Sequence, residues 1–225
     1  MTDNQKLKME LLGMFKDVKA AKEAYQFMQD SESQPQASAD SPISGKLLKD
    51  GVYYLTTDGM TVPYQSALTA PDDTKGILCV QGERNIVVAL QDCNDGEDTT
   101  LTTWKDPANL KGNYIGTCID AVADWNGEAN TNHLKAVGLS DNISLEDGQY
   151  VPSTGEMLFI FTHKKDINIA LEKAGGQPIA DDWYWTSTEY SATNAWSLYL
   201  NIGYIGSYPK AASTIRVRPV SAFIS

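Results

Sequence analysis

Residues 183–225 read WYWTSTEYSATNAWSLYLNIGYIGSYPKAASTIRVRPVSAFIS, and their pattern decides the fold class. Nine of the chain's 21 aromatic residues fall here, against four charged ones, Glu189, Lys210, Arg216 and Arg218. So many rings with so little charge require a packed interior beneath them. Around Trp196 the side chains alternate. Trp196, Leu198 and Leu200 fall on one face of a strand, and Ser197, Tyr199 and Asn201 on the other, because strand side chains switch faces at every residue. The first row predicts core, with Trp183 and Trp185 beside Trp196. The second predicts a contact surface, since tyrosine gives large contact area at low entropy cost while Ser and Asn adapt their hydrogen bonds. Strands are expected near 183–188, 195–202, 204–208 and 214–222, with a turn at Gly203. Arg216 and Arg218, two apart, share a face and are expected to pair with carboxylates or backbone carbonyls inside the same domain. Glu189 reads as an exposed carboxylate, with a place at the rim of the contact surface as the alternative.

Upstream, GQYVPSTGEMLFIFTHKKD (148–166) predicts a short strand, a break at Pro152 and a helix. Ser153 and Glu156 have capping-box spacing, in which the hydroxyl takes a backbone N–H three residues on and the Glu reaches back. Residues 166–176 predict a further short helix ending at Gly175-Gly176. Residues 114–127 predict a helix, and Asn130 or Asn132 can cap another that ends near Gly138. Residues 50–64 predict a hairpin turning at Asp58-Gly59, and 76–92 two more strands around Gly82-Glu83. Residues 93–113 read as polar loop. There is no βαβ alternation and no internal repeat. The expected class is α+β, with a mainly antiparallel sheet and short helices.

The N-terminal part has a different pattern. Leu7, Leu11, Met14, Val18, Ala21, Tyr25 and Met28 are spaced alternately four and three apart, which is a heptad seam. A helix over residues 1–30 could bury that stripe against other copies or against its own domain. Residues 31–42 hold no large apolar side chain and predict a polar linker. The expected organisation is helix 1–30, linker 31–42 and head 43–225.

The formal net charge of −11 repels phosphate backbones and argues against nucleic-acid binding. No apolar run approaches the ~20 residues of a membrane span, and no signal peptide is recognised. Cys79, Cys93 and Cys118 lack metal-ligand spacing and suit a reduced role, with a Cys79–Cys93 bridge as the alternative. The common nucleotide, metalloprotease and serine-hydrolase motifs are absent. His133 and His163 stand apart. Asp92, Asp95, Glu97 and Asp98 lack calcium-loop spacing and read as a solvated loop. No catalytic residue, metal site or cofactor is expected.

YVPSTGEM (150–157), the short AGG-ended helix, YWTSTEYSATNAWSLYL (184–200) and the closing IRVRPVSAF (215–223) resemble a bacterial version of the C-type-lectin fold related to the formylglycine-generating superfamily. Within that group the chain resembles the variable proteins of diversity-generating retroelements, whose C-terminal codons are rewritten at adenines. The resemblance implies a variable tail over 190–214 and a ligand-binding set of Thr193, Asn194, Ser197, Tyr199, Asn201, Ile202, Tyr204, Gly206, Ser207 and Tyr208. It implies a receptor-binding protein on a phage virion, as a tail or head fibre, made in the bacterial cytoplasm. It implies a trimer joined through the N-terminal helix, contacts with other virion proteins, and a host cell-surface protein or glycan as partner. Two departures matter. No cysteine follows Cys118, although the enzyme branch needs cysteines there. The EPN- or QPD-like and WND motifs of calcium-dependent sugar binding are missing. Alternatives are a purely structural fibre subunit and a degenerate enzyme of the formylglycine-generating type.

Overall fold

A computed structural model describes residues 48–65, 69–103 and 112–223. The chain divides into two units at Gly45/Lys46, and every described residue belongs to the second. The helix expected over 1–30, its Leu7–Met28 seam and the linker 31–42 lie outside the described residues.

The first hairpin, β1 (Gly51–Thr56) and β2 (Thr61–Pro63), turns at Asp58-Gly59 as its sequence requires. Asp58 fixes the turn by accepting from Met60 N, and Gly59 takes φ +85°. Strands β3 (Thr74–Gln81) and β4 (Arg84–Ala89) follow, with Gly82 at φ +60° between them. Two short strands, β5 (Gln149–Tyr150) and β9 (Val220–Ser221), complete a six-stranded sheet in the order β2-β1-β3-β4-β9-β5. Strands β6 (Trp183–Glu189), β7 (Asn194–Tyr199) and β8 (Tyr204–Pro209) form a second, three-stranded sheet. Every pairing between these strands is antiparallel. With three α-helices and a short 3-10 turn (Cys93–Gly96) between the strands among the described residues, the class is α+β.

Helix α1 (Cys118–Ala123) is shorter than the 114–127 expected. Thr117 caps it by accepting from Asp120 N, and Asp124 is already extended. Helix α2 (Gly127–Val137) begins before Asn130, so neither Asn130 nor Asn132 is its cap. Asn130 instead donates to Asp124 Oδ2 at 2.7 Å. Gly127 lies so close to Ser153 and the Glu156 carboxylate that a Cβ there would collide with both. Helix α3 (Thr154–Lys173) carries the expected capping box: Ser153 Oγ accepts from Glu156 N, and Glu156 Oε2 accepts from Ser153 N at 2.6 Å. Residues 166–173 continue this helix and do not form a separate one. No Gly or Pro interrupts it after Gly155, and Met157, Ile160, Ile167 and Leu171 form one fully buried stripe.

The stripe packs on the six-stranded sheet against Tyr54, Ile77, Cys79 and Val88, together with Tyr184 and Leu198 from the second sheet and Leu200 just beyond it. A second apolar cluster, Leu101, Leu134, Val151, Trp185, Ala195, Ile215 and Val217, covers the other face of β6 and β7. The three-stranded sheet is therefore buried on both faces over its middle. Cys79, Cys93 and Cys118 are free thiols, and Cys93 Sγ donates to the Ser144 carbonyl at 3.3 Å. Residues 214–219, expected as strand, make only isolated bridges, Thr99–Ile215 and Tyr184–Arg216. Pro219 has no N–H to give a ladder, and Arg218 turns its whole side chain inward.

Candidate ligand-binding face

Two buried charge networks hold the second sheet in place. Arg218, fully buried, donates through Nε to Asp92 Oδ1 and through NH1 and NH2 to the carbonyls of Ala89 and Gln177 at 3.0 and 2.8 Å. Tyr184 gives its hydroxyl to Asp92 Oδ2 at 2.9 Å. Burial pushes the Asp92 carboxyl upward, against the pull of Arg218, the Tyr184 hydrogen bond and Arg216. Burial likewise raises the Tyr184 phenol, with the Asp92 charge adding to it. Asp92 is thus a core anchor and not part of a solvated loop. Both arginines pair inside the domain, as expected. Arg216 Nε donates to Asp182 Oδ2 at 3.2 Å.

The second network corrects the reading of Glu189. This carboxylate is only 7% exposed, pairs with the buried Lys210 ammonium, and has His133 Nε2 3.3 Å from its other oxygen. Lys210 N also donates to Thr193 O, and its carbonyl takes Leu101 N. The Thr193 end of the sheet is therefore tied down.

The opposite end is open. Strand register aligns Trp183, Tyr199 and Tyr204 in one cross-strand row, and Trp185, Ser197 and Gly206 in the next. Trp185 and Ser197 are completely buried, whereas Tyr204 is 55% exposed and Ile202, in the following turn, 59%. The Trp183 indole reaches across the sheet to β8. A Cβ on Gly206 would lie 3.2 Å from Trp183 Cη2 and 3.1 Å from Tyr208 Cε2. Glycine is needed here for the close approach, and the ring covers the gap that it leaves. Tyr204 and Tyr208 stand at 88° and 72° to the indole, with ring centroids 5.8 and 4.9 Å away, and Tyr199 lies at 5.5 Å and 35°. Gly203, at φ +71°, makes the turn between β7 and β8 and sits against the Phe161 ring. Beside Trp183 and Tyr208 opens a cleft of about 220 Å³, completed by Asp98, Asp182, Ser213, Thr214 and Ile215.

The structure does not place the ten sequence-derived residues on one surface. Tyr199, Asn201, Ile202 and Tyr204 gather at the open end, while Gly206 and Tyr208 stand further along β8, opposite Ser197 and Ala195, with the Tyr208 ring against Trp183. Thr193 and Asn194 lie at the tied end, where the Thr193 hydroxyl donates to Asn194 Oδ1 at 3.0 Å. Ser207 sits opposite Trp196 in the register, on the other face from Gly206 and Tyr208. Ser197 was expected to face outward but is 0% exposed, and its hydroxyl has no hydrogen-bond partner. Alternation correctly separates Ser197 from Trp196; what it cannot see is that Trp185 and the second apolar cluster cover that face too. The prediction missed Trp183 as a surface ring, along with Asp98 and Asp182. The pair Asp182-Trp183 at the head of an aromatic strand was the available signal.

Among the described residues no group of three or more His, Cys, Asp or Glu side chains could hold a metal ion. Burial pushes the Cys79 and Cys93 thiols up to about 12, so neither is a poised nucleophile. Among the described residues no helix is long and apolar enough to cross a membrane.

No family model matches the chain, and no curated protein does. A solved structure similar in fold is that of a fimbrial protein from Bacteroides ovatus, with a TM-score of 0.54 at 17% identity. The match covers 77% of this chain and 48% of that one, so this chain spans about half the length of the structure that it resembles.

Proposed function

We propose that this chain is a ligand-binding display protein, with a C-type-lectin-like head that presents the open end of β6–β8 to a cell-surface partner. One observation carries the reading. Ile202 and Tyr204 remain more than half exposed, contiguous with Tyr199, Tyr208 and Trp183, on a sheet whose other end is locked by buried ion pairs. Exposed aromatic patches on a rigid scaffold mark interaction surfaces. The likeness to a fimbrial protein supports display at a surface. A phage fibre is the setting implied by the sequence resemblance. In this reading the helix over 1–30 gathers heads into a trimer, and avidity multiplies weak single contacts ~100- to 10,000-fold. Retroelement rewriting would act on Tyr199, Asn201, Ile202, Tyr204 and Tyr208 and spare Ser197. No catalytic role forms part of the reading.

The test uses the fluorescent full-length protein on a panel of bacterial and animal cells. Wild type should adsorb to at least one cell type. Changing Tyr199, Asn201 and Tyr204 together to Ala should abolish adsorption and leave Tm within a few degrees. Equal adsorption by the triple variant would overturn the assignment of the face. Adsorption to no cell, with self-assembly that depends on these tyrosines, would point to a structural fibre subunit. Diversification itself requires an adenine-rich near-copy of codons 190–214 beside a reverse-transcriptase gene.

A further inference from the structure

The cleft beside Trp183 has a charge imbalance that bears on what it receives. Asp92, Asp98 and Asp182 approach Arg216, and Arg218 is committed to Asp92, so three carboxylates meet two guanidinium groups. One carboxylate is left without a guanidinium of its own. That carboxylate is Asp98. Asp182 is satisfied, since Oδ1 accepts from Trp183 N at 2.7 Å and Oδ2 from Arg216 Nε at 3.2 Å. Asp92 is satisfied by Arg218 and Tyr184. Asp98 has Arg216 Nε at 3.9 Å, too far for a hydrogen bond. Its side chain is half exposed, and partial burial followed by the neighbouring Asp182 charge holds its carboxyl above the usual range.

In the same cleft, the rings of Trp183 and Tyr208 meet at 72°. A ring face attracts a cation through its quadrupole, most strongly in Trp. The volume of about 220 Å³ is below that of a drug-sized pocket and suits a single side chain. Ser213 and Thr214 line the same cleft.

We propose that this cleft receives a lysine side chain of a protein partner, its methylene stem and ammonium against Trp183 and Tyr208 and its N–H groups donated to Asp98. The assignment rests on the reading of this face as the ligand-binding one and names the chemistry that it takes. A primary ammonium fits better than a quaternary one, because Asp98 lacks hydrogen-bond donors and a trimethylammonium group has none to offer. A neutral sugar would bring that carboxylate no cation.

The full-length protein is titrated with Nα-acetyl-lysine N-methylamide, its uncharged norleucine analogue, the arginine analogue and choline. The readout is the NMR shift of the Trp183 indole N–H, assigned with Trp183→Phe, with the buried Trp185 indole as the fold control. The lysine derivative should move the Trp183 signal alone and bind about tenfold more tightly than the norleucine analogue. Added salt should weaken it, because the site is open to solvent. Asp98→Asn should cost lysine most of that advantage at unchanged Tm. Norleucine binding as tightly as lysine, choline or arginine binding more tightly, or no Trp183 shift at the solubility limit would each overturn the assignment. The two failures separate. Cell adsorption through Tyr199 and Tyr204 without a lysine shift sinks this inference alone. A lysine shift without adsorption sinks the display reading alone.

Discussion

The two ends of the β6–β8 sheet are built from the same three strands and the same alternation, yet one is interior and the other surface. At the tied end, Glu189 and Lys210 form a buried pair, and Trp185, Ala195 and Ser197 lie beneath Leu101, Leu134 and Val217. At the open end the same face ends in the row Trp183, Tyr199 and Tyr204; Tyr208, which the register sets opposite Ala195, turns its ring onto Trp183. Alternation fixes the side on which a residue lies. Whether that side is covered depends on chain distant in sequence. A fold that locks one end of a sheet can leave the other free to vary.

The contrast breaks most visibly at the closed end. Trp185→Ala should cost about 3–5 kcal/mol in denaturant unfolding, as a large-to-small core change. Arg218→Ala should cost about as much, because it strands the Asp92 carboxylate in the interior. A loss below about 1 kcal/mol in both would mean that this end is not closed.

Ser197 gives a sharper contrast. Ser197→Tyr, a change that a diversified contact position should accept, should destabilise by about 1–3 kcal/mol or more through overpacking. Ser197→Ala should be neutral or slightly stabilising, since it removes a buried hydroxyl that has no partner. Urea midpoints for the two variants would decide it, and equal midpoints would place Ser197 at the surface.

At the open end the stability effects should be small. Ile202→Ala and Tyr204→Ala should each stay within about 0.5 kcal/mol of wild type, as exposed substitutions do. Gly206→Val should fall between the two ends at about 1 kcal/mol and shift Trp emission, since its branches meet the Trp183 and Tyr208 rings.

The antiparallel hairpins, the capping box of α3 and the glycine turn at 203 were legible because each is signalled by residues within a few positions of one another. The pairing of both arginines was legible from their residue type in an apolar segment, whereas the strand face that their spacing implied does not form. The continuity of α3 through Asp166 was not, because a charged break between two apolar runs resembles a loop when the packing face is unknown. The fates of Ser197 and Glu189 were least legible. One is closed off by Trp185 and the second cluster, and the other by Lys210 and His133, partners 21 and 56 positions away. The cleft shares this difficulty, since Asp98 and Asp182 are brought together only by the fold.

A smaller effect concerns ionisation beneath the closed sheet. Burial raises the Glu156 carboxyl despite its bonds from Ser153 and Tyr150. The folded state therefore holds this proton to higher pH than the unfolded state does. The contribution of this group to stability falls as pH rises from the ordinary carboxylate range through the folded value. Glu156→Gln should flatten that part of a Tm-against-pH curve. An unchanged slope would mean that Glu156 is ionised in the fold as readily as in the unfolded chain.

The central claim is that the open end tolerates change and the closed end does not. Cell-surface display of the full chain, with each of codons 183–210 saturated in turn and folded expression as the readout, tests this without knowing the ligand. Positions 199, 201, 202 and 204 should accept nearly all residues. Positions 185, 195, 197 and 198 should accept few, with 206 restricted to the smallest. Free substitution at 197, together with intolerance at 202 and 204, would contradict the account.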